Sequence, residues 1–244
     1  MNRLEKPAQA SRVAVLIAAA GAGKRMGAGR PKQFLEIGGT PILMHTLNRF
    51  ASCPGVNEMI LIVPETGRRE AERLMESRSF SKPFRMVTGG PERTDSVRLG
   101  LEAVHPDTDL VLIHDAVRPF VPEDKIGEVI RAVQIHGAAL LAVPEKATVK
   151  RVQDGVIQTT LDRSLLWLAQ TPQGFRYDLI LQAYEAARRD GVGATDDAAL
   201  VERLGHPVHV VMGVEQNIKI TTRADLEMAE ALLRISNQTE KSGF

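Results

Sequence analysis

The chain contains one cysteine, Cys53, in 244 residues. One thiol excludes an internal disulfide and any multi-cysteine metal site. Aromatic residues are scarce, at 4% of the total, which speaks against the stacking platforms used on single-stranded nucleic acid. Neither charge sign is in excess. Lys and Arg number 31 and Asp and Glu 30, a net charge of +1. Without a basic surplus, nucleic-acid binding is not expected. The longest uninterrupted apolar run is the eight residues Val13 to Ala20, far short of the roughly 20 needed to cross a bilayer. Residues 1–12 include Arg3, Glu5 and Lys6 and carry no apolar stretch before a small-residue cleavage site, so they do not read as a secretory signal. What is left is an ordinary globular composition, 43% hydrophobic and 25% charged, expected in the cytoplasm and away from membranes.

Apolar β-type runs alternate with helical patterns along most of the chain. The spacing predicts strands at Val13 to Ala20, Met59 to Val63, Phe84 to Val87, Leu110 to Ile113 and Ala138 to Val143. Helices are predicted between them at Pro41 to Ala51, Arg68 to Ser77, Asp95 to Val104 and Lys125 to His136. This alternation implies an α/β fold, a single doubly wound, mostly parallel sheet covered on both faces. Such sheets receive ligands at the carboxyl ends of their strands. After Pro144 the rhythm breaks. Thr148 to Val152 and Val156 to Leu161 read as a hairpin closed through Asp154-Gly155, a strong turn signal. Helices at Tyr177 to Arg189, Ala198 to Leu204 and Arg223 to Ile235, with a strand at Val208 to Val214, complete the pattern.

The first strand runs into Ala19-Ala20-Gly21-Ala22-Gly23-Lys24-Arg25-Met26-Gly27-Ala28-Gly29-Arg30-Pro31-Lys32. Glycines let a backbone approach a ligand closely, and successive N–H groups form an anion-binding nest. With Lys24, Arg25, Arg30 and Lys32 in or beside it, the loop suits a triphosphate. It is not a Walker loop, because no Ser or Thr follows Lys24, and it misses the dinucleotide fingerprint by one residue. A flexible turn with solvated charges is the bland alternative. Asp115 closes an apolar strand where ligand groups gather, or else caps the next helix. His114 beside it reads as structural. Ser96 could read a base edge or bond its own backbone. Asp95 reads as a helix cap.

The whole stretch is more specific than those patterns. Ala19-Ala20-Gly21-x-Gly23-x-Arg25-Met26 followed by Pro31-Lys32-Gln33-Phe34-Leu35 resembles the signature of the sugar-phosphate nucleotidyltransferases. Further segments narrow it: Gly89-Gly90-Pro91-Glu92-Arg93-Thr94-Asp95-Ser96-Val97, His114-Asp115-Ala116-Val117-Arg118-Pro119, Leu168-Ala169-Gln170-Thr171-Pro172-Gln173, Ala194-Thr195-Asp196-Asp197 and Asn217-Ile218-Lys219-Ile220-Thr221. Together, and in this order, they resemble the 2-C-methyl-D-erythritol 4-phosphate cytidylyltransferases of the non-mevalonate isoprenoid pathway.

The resemblance implies transfer of CMP from CTP to a polyol phosphate, with release of pyrophosphate and with Mg²⁺ or another divalent cation. It makes Arg25 and Lys32 the catalytic cations. It assigns Ala19, Ala20, Gly21, Gly23, Gly89, Gly90 and Ser96 to the nucleotide. It assigns Asp115, Arg118, Thr148, Arg163, Thr171, Thr195 and Lys219 to the acceptor. A lone carboxylate is a poor Mg²⁺ site, so the ion is expected mainly on the CTP phosphates, with Asp115 as a possible ligand. Two positions depart from the family pattern: Ala18 stands where a proline often precedes the alanines, and Pro91 where an acidic residue is familiar. A cytidylyltransferase for another polyol phosphate, such as ribitol 5-phosphate, and a silent nucleotide-binding regulator remain the alternatives.

The expected organisation is an N-terminal extension at 1–12, a catalytic domain at 13–236 and a flexible tail at 237–244. The domain includes an arm at about 145–165. A two-stranded hairpin is marginal alone, and Val149, Val152, Val156 and Ile157 need cover. A two-fold partner presenting the same arm buries both at once, and the resemblance implies such a homodimer. Arg163, and with it Thr148, is then expected in the partner's active site.

Overall fold

The structure is a computed structural model that describes residues 11–20, 31–76 and 78–241. Its centre is a seven-stranded sheet. The strands are β1 (Val13–Ala18), β4 (Glu58–Val63), β5 (Phe84–Thr88), β6 (Leu110–Asp115), β7 (Ala138–Pro144), β10 (Trp167–Arg176) and β11 (His209–Met212). Across the sheet the order is β11-β7-β10-β6-β1-β4-β5. All neighbours pair in parallel except β10, which runs antiparallel to both β6 and β7. Two short strands, β2 (Glu36–Ile37) and β3 (Thr40–Pro41), form a separate ribbon, and β8 (Lys150–Gln153) and β9 (Val156–Thr160) form the hairpin.

Helices cover both faces, as near-continuous apolar strands require. The even residues Ala14 and Leu16 of β1 face α3 (Arg93–Glu102), α5 (Tyr177–Arg189) and α6 (Ala198–Arg203), where Val97, Leu101, Ile180, Ala183 and Val201 are buried. The odd residues Val13, Val15 and Ile17 face α1 (Ile42–Ser52), α2 (Arg68–Glu76) and α4 (Glu123–His136). There Leu47, Phe50, Val129 and Val133 complete the layer. A third cluster ties α7 (Arg223–Lys241) through Ala229 to Ile37, Ile42, Val117 and Ile220. Among the described residues no helix is long and apolar enough to cross a membrane.

The mostly parallel doubly wound sheet is as the alternation predicts. Three features differ from the sequence reading. First, β10 stands where no strand is expected. It carries Pro172, which a central strand tolerates only at an irregularity, and its register with β7 shifts between Ala169 and Gln173. It also carries Gly174, where an added Cβ would lie 2.7 Å from Val133 and 2.9 Å from Leu112 and Val129. Glycine is required there because α4 sits directly on the strand. Second, the β2–β3 ribbon is not among the predicted elements: its loop, Gly38-Gly39, is a usual hairpin dipeptide with both φ positive, but strands of two residues each leave no alternating run to flag it. Third, α7 continues to Lys241, through residues expected to form a tail. The apolar period ends near Ile235, but 236–241 contains neither glycine nor proline, so nothing breaks the helix there.

The hairpin is as expected. Its two-residue loop, Asp154-Gly155, has φ of 50° and 78°, the signature of a type I′ turn. Every residue of β8 and β9 is exposed, so the hairpin stands off its own domain.

The chain runs from β1 outward through β4 to β5, then returns to lay β6 on the other side of β1. That reversal is a topological switch point, where open α/β sheets bind ligands. Ala18 and Asp115 lie side by side across it in the β1–β6 register.

Candidate active site

At the end of β6 the side chain of Asp115 is 10% exposed. A carboxylate so buried needs partners, and it has two cations. Lys219 Nζ lies 2.9 Å and Arg118 Nε 3.3 Å from the same oxygen, Oδ2. Burial alone would raise the Asp115 carboxyl. Lys219 and then Arg118 outweigh it and hold the group far below the usual carboxylate range.

Each cation is delivered by its loop. Arg118 stands three residues beyond Asp115, and its Nη1 donates to the Asn217 carbonyl at 2.7 Å. Lys219 is pinned on both sides. Asn217 donates from Nδ2 to the Thr171 carbonyl at 2.9 Å and to Gln170 Oε1 at 3.2 Å, and Ile220 N–H donates to the Val117 carbonyl at 2.9 Å. The 217–220 segment is thereby stitched to β10 and to the turn after β6.

Below Asp115 lies His114, fully buried. Its Nε2 faces the Arg118 carbonyl at 3.0 Å, which can only accept, so Nε2 carries the proton. Nδ1 then accepts from Thr171 Oγ1 at 3.0 Å, and that oxygen in turn accepts from the Asp115 N–H at 3.1 Å. Desolvation pushes the imidazole down to about 4, so it is neutral near pH 7. Its role is structural, as the sequence suggests. Thr171, expected on the acceptor, is itself 5% exposed, and its hydroxyl is spent on orienting His114 and the Asp115 backbone.

The residues expected on the nucleotide lie across the switch point. Ala19 donates its N–H to the Ile62 carbonyl at 2.8 Å and accepts from Gln33 Nε2 at 2.9 Å. Gln33 is 1% exposed. Its amide ties the short 3₁₀ turn Lys32–Phe34 to the end of β1 at Ala19. Gly89, after β5, meets the same corner. A Cβ there would stand 2.6 Å from Ser96 Oγ and 2.9 Å from the Ala20 Cβ, so Ala20, Gly89 and Ser96 form one crowded wall. Ser96 Oγ donates toward the Gly90 and Glu92 carbonyls, at 3.2 and 3.0 Å, which shapes the turn. Asp95 completes a capping box with Glu92.

Gly21, Gly23 and Arg25 lie outside the described residues. Thr195 is exposed on the loop before α6. Thr148 and Arg163 are exposed at the base of the arm, where Arg163 Nη1 donates to the Lys146 carbonyl at 2.9 Å. Among the described residues no hydrogen bond or ion pair of either one reaches the Asp115 cluster. Gln33, Arg93, Gln173 and Asn217 were not singled out as site residues by sequence. Only their position inside the quoted motifs could have marked them.

A model of the family described as 2-C-methyl-D-erythritol 4-phosphate cytidylyltransferase matches residues 13–235. The chain belongs to this family. Curated 2-C-methyl-D-erythritol 4-phosphate cytidylyltransferases from Geotalea uraniireducens and Bacillus pumilus are 47% and 46% identical to it. The alignments cover 93% and 90% of this chain and 98% and 96% of those proteins. A crystal structure of 4-diphosphocytidyl-2C-methyl-D-erythritol synthase from Anaerococcus prevotii superposes with a TM-score of 0.82 at 33% identity, covering 92% of this chain and 97% of that one. The cytidylyltransferase of Thermus thermophilus gives 0.76 at 36%, covering 91% and 99%. The match to the cytidylyltransferase family therefore takes in every strand of the sheet, the β8–β9 hairpin and α7 through Ile235.

Proposed function

We infer that the chain transfers the cytidylyl group of CTP to 2-C-methyl-D-erythritol 4-phosphate in the non-mevalonate isoprenoid pathway. The products are 4-diphosphocytidyl-2-C-methyl-D-erythritol and pyrophosphate. The observation that carries the residue assignments is the meeting of two sets at one switch point: Lys32, Ala20, Gly89 and Ser96 on one side, Asp115, Arg118 and Lys219 on the other.

A phosphate oxygen of the acceptor attacks the α-phosphorus of CTP, a P–O bond forms, and the bond to pyrophosphate breaks. The nucleophile is already anionic, so no strong base is required. The structure agrees with that economy. His114 is neutral with both nitrogens engaged, and Asp115 is held ionised in an ion pair. Catalysis then rests on positioning and charge stabilisation, as in other phosphoryl transfers. Lys32 and Arg25 are assigned to the charge that builds at phosphorus. Ala19, Ala20, Gly21, Gly23, Gly89, Gly90 and Ser96 hold the nucleotide. Asp115, Arg118, Thr195 and Lys219 receive the acceptor, and Thr171 orients Asp115.

Among the described residues no group of three or more His, Cys, Asp or Glu could hold a metal. The donor set near the site is the single carboxylate of Asp115, which fits a Mg²⁺ ion that is carried by the triphosphate and meets the protein at one point. When bound, such an ion neutralises phosphate charge. The exposed arm, with Val152, Val156 and Ile157 more than half exposed, supports a homodimer in which the arm brings Arg163 and Thr148 to the partner's acceptor site. We place the enzyme in the cytoplasm, where the one thiol, buried Cys53, stays reduced.

Pyrophosphate release with CTP tests this reading, using 2-C-methyl-D-erythritol 4-phosphate and ribitol 5-phosphate side by side. A clear preference for the first is expected. Turnover of ribitol 5-phosphate alone, or no turnover of either, would overturn it.

A further inference from the structure

The proposed nucleotide side and acceptor side are joined by a part-buried ion pair outside the residues assigned above. Arg93 opens α3, directly after the Gly89–Glu92 turn and one helical turn before Ser96. Asp197 caps α6, directly after Thr195 and Asp196. The two are 104 residues apart, yet they meet as a fork: Nη1 to Oδ1 at 2.9 Å and Nη2 to Oδ2 at 2.6 Å. Asp197 is wholly buried, and the Tyr184 hydroxyl of α5 donates to its Oδ1 at 2.5 Å. Gln173 of β10 holds the same loop by its backbone. Its Oε1 accepts from the Asp197 and Ala198 N–H groups at 3.1 and 2.9 Å, and its Nε2 donates to Asp196 at 2.8 Å.

A buried ion pair is weak evidence for stability, since apolar residues of similar volume often serve as well or better. Its distinct property is geometry: a planar fork on a carboxylate fixes direction as well as distance. Here the fork joins two segments that would otherwise touch only through the core. The two ends are not equally secure. The α3 end has its own capping box and the Ser96 bonds. The 191–197 segment is irregular and depends on Asp197 and Gln173.

We propose that Arg93 and Asp197 are positioning residues that lock the acceptor loop bearing Thr195 to the nucleotide-reading turn and so set the spacing between the two bound substrates. The proposal rests on the functional reading given above. Arg93 also contributes to the field that keeps Asp115 ionised, which places its charge within reach of the acceptor cluster.

The test uses Arg93→Lys, which keeps the charge and loses the fork, together with Thr195→Ala and the double variant. In Arg93→Lys the KM for the acceptor should rise about tenfold or more, while the KM for CTP stays within about twofold, a split expected when a fixed charged contact is loosened on one side only. Thr195→Ala should cost several-fold in acceptor KM in the wild-type background and little in the Arg93→Lys background, because the loop is already displaced. Additive effects, or equal losses for CTP and acceptor, would overturn the proposal. Hydrogen exchange provides a reading that needs no turnover. Amides of 195–198 should exchange faster in Arg93→Lys, with those of the later turns of α3 unchanged, and unchanged exchange at 195–198 would refute the lock even in an inactive protein. Tyr184→Phe guards against a misfolded Arg93 variant, since it removes only the hydroxyl on Asp197 and should shift the same amides and the acceptor KM in the same direction. A wild type without turnover would instead refute the functional reading and leave the exchange result standing by itself.

Discussion

Replacing Lys32 by methionine keeps the stem and removes the charge. The expected loss in turnover is about 10²–10³-fold, or about 3–4 kcal/mol of transition-state stabilisation, with the thermal midpoint unchanged. A stable Lys32→Met enzyme with near-normal kcat would contradict the role given to this cation. His114 makes a prediction of the opposite kind, about stability. Its imidazole is held near 4 in the fold against 6.5 in an open chain, so the unfolded state takes up a proton that the folded state refuses. Stability should therefore fall as pH drops through that window, by up to about 3 kcal/mol, and this contribution should level off below it. Urea unfolding between neutral pH and about pH 5 measures it, and His114→Gln should flatten the difference. Equal slopes for wild type and variant would show that the ring is not the source. At this scale the motifs drew attention to Asp115, Arg118 and Lys219, which the structure brings together in one ion-paired cluster. The partner of Arg93 was not legible, since no local pattern joins residues 104 apart. Thr171 was legible as important but not in its task, which only the ring beneath it reveals.

Gly174 tests the packing between elements. Gly174→Ala drives a methyl into Val129, Val133 and Leu112, and overpacking of this kind costs about 1–3 kcal/mol. Calorimetry should show a midpoint lowered by roughly 2–4 °C for each kcal/mol, and an unchanged midpoint would mean that α4 can lift away freely. The same strand explains what sequence could not show. The segment Trp167–Arg176 mixes glutamines, a threonine, a proline and a glycine. Its polar residues are buried because they serve the site: Gln170 and Thr171 hold the 217–220 loop, and Gln173 holds the loop before α6. Alternation and β propensity fail where side chains are chosen for such duties. Of the other strands of the sheet, β1, β4, β6 and β7 are buried along nearly their whole length, and each contains an uninterrupted apolar run. The end of α7 was misjudged for a simpler reason: apolar periodicity marks the face a helix buries, and a helix can outlast its buried face.

For the whole molecule the prediction concerns the proposed homodimer and its arm. Lys32→Met and Arg163→Ala subunits, each expected to retain little activity alone, are to be mixed. If the arm acts across a two-fold axis, each mixed dimer has one site with both lesions and one with neither, and recovers about half of the wild-type turnover. A mixture that stays inactive would return Arg163 to its own chain. The arm's attachment has a broader consequence. Trp167 pairs with Pro144, and the Glu145 N–H donates to the Leu166 carbonyl at 2.9 Å. The arm thus departs and re-enters at adjacent points on antiparallel strands, which two residues can bridge. Replacing 146–165 with Asn-Gly should leave a folded domain that binds CTP and fails to turn over the acceptor, as circular dichroism and calorimetry with CTP would show. Loss of the fold would refute that separability. In engineering terms the sheet is a chassis and the arm a cartridge: on the proposed reading, the arm's own share of acceptor recognition, Thr148 and Arg163, can be exchanged between relatives at two strand ends while the rest of the site stays in place.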